Sequence, residues 1–398
     1  MEKYFNIINN FINTKYINNF PIEIHEKIKY LFNDGKRIRP ILSLCFCSIE
    51  NENPSEIILN LCISIEIIHC LSLVIDDLPE MDNDFIRRGK DAFHIKYGQE
   101  YTNFFIYYIL NKLFMILNNG LDDGLGNGLN GGLGDGLGGS GCNINELNIK
   151  YARDIMHLFK VNLNNLIDGQ YIDMEFNKQI TETQASNTCC NIDILYEIVI
   201  EVIFSFLEDI DIDMDIELLV QDKQNILDRK IYENIILNLK KTGTLFALSI
   251  NIGYLLQLWN RKIDRHSSKN KYTNIVGTIS IEDSVAGDSV AGDSVNGIAV
   301  DSIDNIFDIV AIWGYMFGYI FQISDDILDY EKDKGENKPN ICVILGKENT
   351  IILFNHCCNW LRNLLKTINE NSLRCWKTFF IDIETINQLI YKIENRIL

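Results

Sequence analysis

A chain of 398 residues with 47% hydrophobic residues can bury a large core, as one big domain or two ordinary ones, which excludes a disordered tail. The formal net charge of -19 excludes nucleic acid as a partner, because a duplex or single strand needs a basic stripe, and it sets the surface against an anionic membrane. Only 5 prolines, and apolar residues at three-to-four spacing without long runs of strict alternation, predict an all-helical fold.

The chain opens on EKYFNIINNFINTKYINNF, a polar, Asn-rich helix without the charged start, apolar run and small-residue cleavage site of a signal peptide. No segment reads as apolar over the length of a bilayer span. The default compartment is therefore cytoplasmic, or a plastid-like organelle if a leader precedes this sequence. Helical blocks follow at about 4–20, 22–49, 55–77, 90–118, 144–178, 191–206, 224–259, 304–331 and 341–396. They read as a single helical domain over 1–398, carrying low-complexity insertions at about 119–143 and 260–304. The first is too glycine-rich to offset the ordering entropy of a packed element, and the second contains the tandem unit SVAGD. The acidic stretch LEDIDIDMDIELLVQDK reads as a solvated connection. The 11 cysteines form no CxxC pair and lie in or beside apolar helical stretches, so they read as reduced core residues.

Chemistry concentrates in two blocks. In SIEIIHCLSLVIDDLPEMDNDFIRRGK an apolar helix ends abruptly in Asp76 and Asp77. Pro79 forces the chain to leave the helix, which lets Asp82 swing back beside the first pair. Carboxylates at a helix C-terminus oppose the macrodipole, and bound Mg2+ resolves that conflict. His69 precedes Asp76 by seven residues, two turns along the same face. In YMFGYIFQISDDILDYEKDKGENK, Asp325 and Asp329 share one helix face about 6 Å apart, with Asp326 beside them. Mg2+ is usually held by one or two carboxylates plus waters and phosphate oxygens, so two such clusters suit a trinuclear clamp on a diphosphate. For one cluster alone, a solvated acidic helix face is the commoner explanation. Both clusters here lie in apolar helices.

With GKRIRP at 35–40, EIIHCLSLVIDDLPEMDND at 66–84, RRGK at 87–90, DGQYID at 168–173, KTGTLFA at 241–247 and FQISDDILD at 321–329, the chain resembles the polyprenyl diphosphate synthases. These are the farnesyl, geranylgeranyl and longer-chain trans-prenyltransferases, and the resemblance spans most of the chain outside the insertions. It implies an all-α helical bundle of the isoprenoid synthase type around a central cavity. It implies a transferase that condenses isopentenyl diphosphate with an allylic diphosphate, using Mg2+, three ions in all, with Mn2+ an alternative. Asp76, Asp77 and Asp82 then bind metal on one wall and Asp325, Asp326 and Asp329 on the other. Arg87, Lys241 and the later Lys338 face the allylic diphosphate; Lys36, Arg39, His69 and Arg88 hold the diphosphate of isopentenyl diphosphate.

By the same resemblance, Thr242 and Gln322 stabilise positive charge at the reacting carbon, and Gln170 and Asp173 support them. Leu71 and Ser72, five and four residues before Asp76, set chain length, and the side chain of Leu71 implies a product of C20 or longer. A homodimer is expected. The chain departs from the family where DAFH replaces PTxH after RRGK, where YTNFFIYY replaces an Ala-Gly-Asp segment, and where the flap after Asp329 is short. A class I terpene cyclase is the nearest rival, but it carries an Asn/Ser/Glu triad where this chain has DDILD. A non-catalytic helical partner subunit is the rival from another class.

Overall fold

The computed structural model describes residues 1–47, 54–124, 144–177, 192–208, 226–267, 306–336, 338–376 and 381–397. The acidic connection from 209 onward and the low-complexity stretches lie outside these residues, except that one helix continues to Gly124 and another to Ser267. The described elements are helical apart from two strands of two residues each, as the spacing predicts. They form two compact units.

The first unit comprises Met1–Asn162 with Ile252–Asn260. It contains α1 (Glu2–Thr14), α2 (His25–Leu31), α3 (Ile38–Cys47), α4 (Glu56–Asp76), α5 (Phe93–Tyr97) and α6 (Gln99–Gly124). α4 starts where the Ser55 side chain accepts from the Ile58 amide, a standard N-cap. It packs on α1, α3 and α6, and most of its circumference is buried, so its apolar residues run around the helix rather than along one stripe. Strands β1 (Ile86–Arg87) and β2 (Lys90–Asp91) pair antiparallel, joined by Arg88 and Gly89. Both joining residues have positive φ, +54° and +74°, the geometry of a two-residue primed turn, which explains the glycine in RRGK.

The second unit comprises Leu163–Asn251 with Arg261–Leu398. Its elements include α8 (Ile192–Glu208), α9 (Ile226–Asn238), α11 (Ile306–Leu328), α12 (Tyr330–Glu336), α13 (Ile341–Leu345), α14 (Lys347–Trp376) and α15 (Ile383–Glu394). α7 (Ile144–Asn177) and α10 (Thr244–Ser267) each contribute residues to both units. Between α9 and α10 the chain makes one π-helical stretch, Leu239–Gly243. α11 is the centre of this unit, packing on α8, α14 and the π stretch, with Trp313 donating its indole N–H to the Leu361 carbonyl at 2.9 Å.

Backbones touch where glycines allow it. A Cβ added at Gly318 of α11 would lie 2.5 Å from the Gly243 Cα, and one added at Gly314 would lie 2.6 Å from the Ala247 Cα. Gly318→Ala is expected to destabilise the protein by ~1–3 kcal/mol, because overpacking against backbone outweighs the ~1 kcal/mol of helix propensity that alanine gains. Denaturant unfolding checks this.

The expectation that no segment is long and apolar enough to span a bilayer needs correction. Glu56–Asp76, with mean hydropathy 2.2, and Phe307–Leu328, with 1.2, both qualify by length and composition. In each, 72% of the most apolar window is buried within the protein, which is how a core helix earns its hydropathy. Cys45, Cys47, Cys62, Cys70, Cys342, Cys357 and Cys358 are buried.

Candidate active site

In the first unit, α4 delivers the carboxylates. Asp76 is its last residue and Asp77 its C-cap, both buried, at 8% and 2% exposure. After Pro79 the chain turns back, so that the Asp82 amide donates to the Asp76 carbonyl at 2.9 Å, while Asp82 itself stays exposed. Arg87 donates through Nε to Asp77 Oδ1 at 2.8 Å, pairs with the same oxygen through Nη2, and reaches Asp84 at 3.2 Å. A guanidinium thus offsets the conflict between these carboxylates and the helix dipole. Burial still raises the Asp77 carboxyl above the usual range, against the pull of Arg87.

Cationic side chains gather one step along α4. Arg88 donates Nη1 to the Asn33 carbonyl at 2.9 Å, which brings RRGK onto the loop that carries Lys36 and Arg37 and leads into Arg39 of α3. Lys36 is exposed and Arg39 is buried. Gly35 admits this arrangement, since a Cβ there would meet Arg37 Nη1 at 1.9 Å. Burial, and then the charges of Arg39, Arg88, Arg37 and Arg87, hold the His69 imidazole well below its ordinary pKa. A pocket in this unit is lined in part by Tyr30, Asn33, Leu73, Asp77, Arg87 and Arg88. Leu71 is buried, and Ser72 donates its hydroxyl to the His69 carbonyl at 2.8 Å.

His69 therefore folds as a neutral base. Its unfolded pKa lies near 6.5, so below that pH the unfolded chain binds a proton that the folded chain refuses. Stability falls as pH drops through that value and stops falling below the folded pKa. A pH series of melting temperatures from 8 to 5 is expected to be flatter for His69→Gln than for the native sequence.

Sequence reasoning missed Arg37. It sits at φ +56°, is 5% exposed, pairs with Glu66 at 3.2 Å and donates Nε to Asn9 at 3.1 Å. Nη2 also donates to the Phe32 carbonyl. Its position in an unbroken Lys-Arg pair gave no sign that one cation faces solvent and the other the core.

In the second unit, the π stretch turns Lys241 and Thr242 out of α-helical register, a distortion common at functional sites. Gly169 of α7 packs against it, and a Cβ there would lie 2.8 Å from the Lys241 nitrogen. Lys241 pairs with Asp173 at 2.6 Å. Gln170, half-buried, precedes Asp173 on the same helix. The Thr242 hydroxyl donates to Gln322 Oε1 at 2.9 Å, and Gln322 Nε2 donates to Asp326 Oδ1 at 2.9 Å.

The aspartates of DDILD differ from one another. Asp325 is half-buried and pairs with Arg396, whose Nη1 also reaches Ser324 Oγ at 3.0 Å. Asp326 is 4% exposed and its second oxygen accepts the Ile341 amide at 2.9 Å; burial pushes its carboxyl up to about 7 despite the hydrogen bonds from Gln322 and Ile341. Asp329 is exposed, and partial desolvation together with Asp333 raises its carboxyl, against the nearby charges of Lys332, Arg396 and Lys338. Asn340 and Arg396 join this site without having been singled out in the sequence. Asn340 had a usable signal, standing as an N-cap before ICVIL.

The region around the end of α4 is also where the chain is similar to known proteins. Residues 22–191 match the polyprenyl synthetase family. Over 81 residues the chain is 44% identical to geranylgeranyl pyrophosphate synthase 7, chloroplastic, of Arabidopsis thaliana, covering 20% of this chain and 23% of that protein. Over 81 residues it is 47% identical to the geranylgeranyl diphosphate synthase of Cyanophora paradoxa, covering 20% and 27%. The chain thus spans about a quarter of the length of the curated relatives it matches.

Solved structures extend the likeness to the whole chain at the level of fold. The geranyltransferase of Legionella pneumophila aligns with TM-score 0.58 and 16% identity, over 99% of this chain and 95% of that one. The Helicobacter pylori geranyltransferase complexed with magnesium and isoprenyl diphosphate aligns with TM-score 0.55 and 18% identity, over 98–99% of this chain in its two structures; in the complex the coverage is 99% of this chain and 97% of that one. The fold is that of the all-α isoprenoid synthases.

Proposed function

We propose that this chain is a Mg2+-dependent trans-prenyltransferase that joins isopentenyl diphosphate to an allylic diphosphate and releases a linear polyprenyl diphosphate of C20 or longer. The observation that carries the proposal is a pocket in the first unit lined in part by Asn33, Asp77, Arg87 and Arg88, at the end of the helix that stops in Asp76 and Asp77. A site for a polyanion stands beside a site for cations. On a chain of net charge -19, Arg87 and Arg88 side by side in one pocket suit a diphosphate.

The donor set fits magnesium. Among the described residues no three His, Cys, Asp or Glu side chains converge as a protein cage. Mg2+ takes one or two carboxylates and completes its shell with water and phosphate oxygens, so Asp76, Asp77 and Asp82 in one unit, and Asp325 and Asp329 in the other, are suitable holders. When bound, the ions offset the charge that grows on the departing diphosphate.

The chain's own groups do the rest. Lys241, and Arg87 once released from Asp77 and Asp84, hold fixed positive charge toward the allylic diphosphate. Lys36, Arg39, His69 and Arg88 hold isopentenyl diphosphate so that its double bond meets the allylic carbon, and orientation supplies much of the rate. The oxygens of Thr242 and Gln322, fixed to one another, stabilise the cation as the carbon–oxygen bond breaks. The departing diphosphate takes the final proton.

Incubation of the purified protein with isopentenyl and allylic diphosphates plus Mg2+ tests this. Elongated product that disappears with a chelator is expected; its absence with Mg2+ present refutes the proposal. Leu71→Phe is expected to shorten the product by at least one five-carbon unit, read by chromatographic sizing, because an aromatic ring fills space that a longer tail needs.

A further inference from the structure

We propose that Asp326 is a positioning residue rather than a metal ligand: with Asn340 it clasps the Lys338–Asn340 turn to α11 and couples that turn to Gln322. This rests on the proposed prenyl transfer for the roles of Gln322 and Lys338.

The geometry is that of a closed hydrogen-bond chain. Both Asp326 oxygens are engaged, Oδ1 by Gln322 Nε2 at 2.9 Å and Oδ2 by the Ile341 amide at 2.9 Å, and the residue is 4% exposed. With both oxygens occupied, whereas Arg87 holds Asp77 through Oδ1 alone, the carboxylate lacks the open face that Mg2+ and its waters require. Its neighbours in the motif differ: Asp325 is half-buried and Asp329 exposed.

Asn340, 1% exposed, completes the clasp from the other side. Its Nδ2 donates to the Asp326 carbonyl at 2.9 Å and to Asp333 Oδ2 at 2.8 Å. Its Oδ1 accepts the Cys342 and Val343 amides at 2.7 and 3.1 Å, capping α13. Lys338 is held by its amide to the Asp333 carbonyl at 3.1 Å. The chain from Thr242 through Gln322 and Asp326 to Ile341 is unbroken. The short flap after Asp329 thus has a compensation in this chain: two buried side chains fix the turn in place, and every polar atom of the Asn340 carboxamide is satisfied.

The test compares the full chain with its Asp326→Asn and Asn340→Ala variants by hydrogen exchange over 338–345 and by Mg2+-dependent binding of inorganic pyrophosphate. Exchange at least tenfold faster in both variants is expected. The Mg2+ concentration for half-saturation is expected to stay within twofold for Asp326→Asn. In turnover, KM for the allylic diphosphate is expected to rise at least fivefold in both, with kcat falling less than KM rises. If Asp326→Asn does not fold, Asn340→Ala carries the exchange and KM measurements alone. The proposal is overturned if exchange over 338–345 is unchanged, or if Asp326→Asn raises the Mg2+ requirement tenfold while Asn340→Ala leaves it alone. A native chain that makes no prenyl product refutes the prenyltransferase reading instead, and the exchange result still stands or falls separately.

Discussion

Asp325→Ala and, separately, Asp76→Ala are expected to lower turnover by about a thousandfold or more, several kcal/mol of transition-state stabilisation at about 1.4 kcal/mol per decade. Each removes a carboxylate assigned to Mg2+ and leaves the apolar packing of its helix in place. For Asp325 the structural loss is small, since its ion pair with Arg396 is partly exposed, at 32% and 24%, and such pairs contribute about 0–1 kcal/mol. Far-ultraviolet circular dichroism is expected to be unchanged while product formation disappears. Native turnover in either variant contradicts the assignment of that carboxylate.

Glu66→Ala is expected to have the largest effect on stability, a loss of about 3–5 kcal/mol in denaturant unfolding. The Arg37 and Glu66 side chains are 6% and 2% exposed, and deleting the carboxylate leaves a guanidinium uncompensated among apolar groups. The pair itself is worth less than that loss, because both ions were desolvated to form it. An Arg37→Met, Glu66→Leu double variant is therefore expected to recover most of the stability. It is not expected to recover function fully. Arg37 also ties Asn9 and the Phe32 carbonyl to the loop that carries Lys36 and leads into Arg39 of α3, so KM for isopentenyl diphosphate should remain raised.

Much of this was legible in the sequence because it depends on local rules. An apolar run that stops at Asp76 and Asp77, followed by Pro79, dictates a helix end and a return of the chain, and the Asp82 amide does bond to the Asp76 carbonyl. RRGK contains the glycine that a two-residue turn requires. The π stretch at Leu239–Gly243 was not legible, because it differs from an α-helix by one residue of register and is fixed by close approach to Gly169 and Gly318. Nor does the spacing DDILD reveal which aspartate is buried. That depends on where Asn340 and Ile341, more than a dozen residues later, return against α11. Arg37 and Arg396 were missed for the same reason, since their partners lie far away in sequence. The apolar length of α4 was underrated in the sequence, where His69, Ser72 and Asp76 interrupt the run; by length and composition it matches a membrane span, and its surface is mostly covered by the protein.

The central claim is that the end of α4 binds a diphosphate together with Mg2+. The most direct test is Mg2+-dependent pyrophosphate binding, read by titration calorimetry in the native chain, Asp76→Ala and Arg88→Ala. Binding that requires Mg2+ in the native chain and weakens at least tenfold in both variants is expected. Binding that needs no Mg2+, or that neither change weakens, would contradict it.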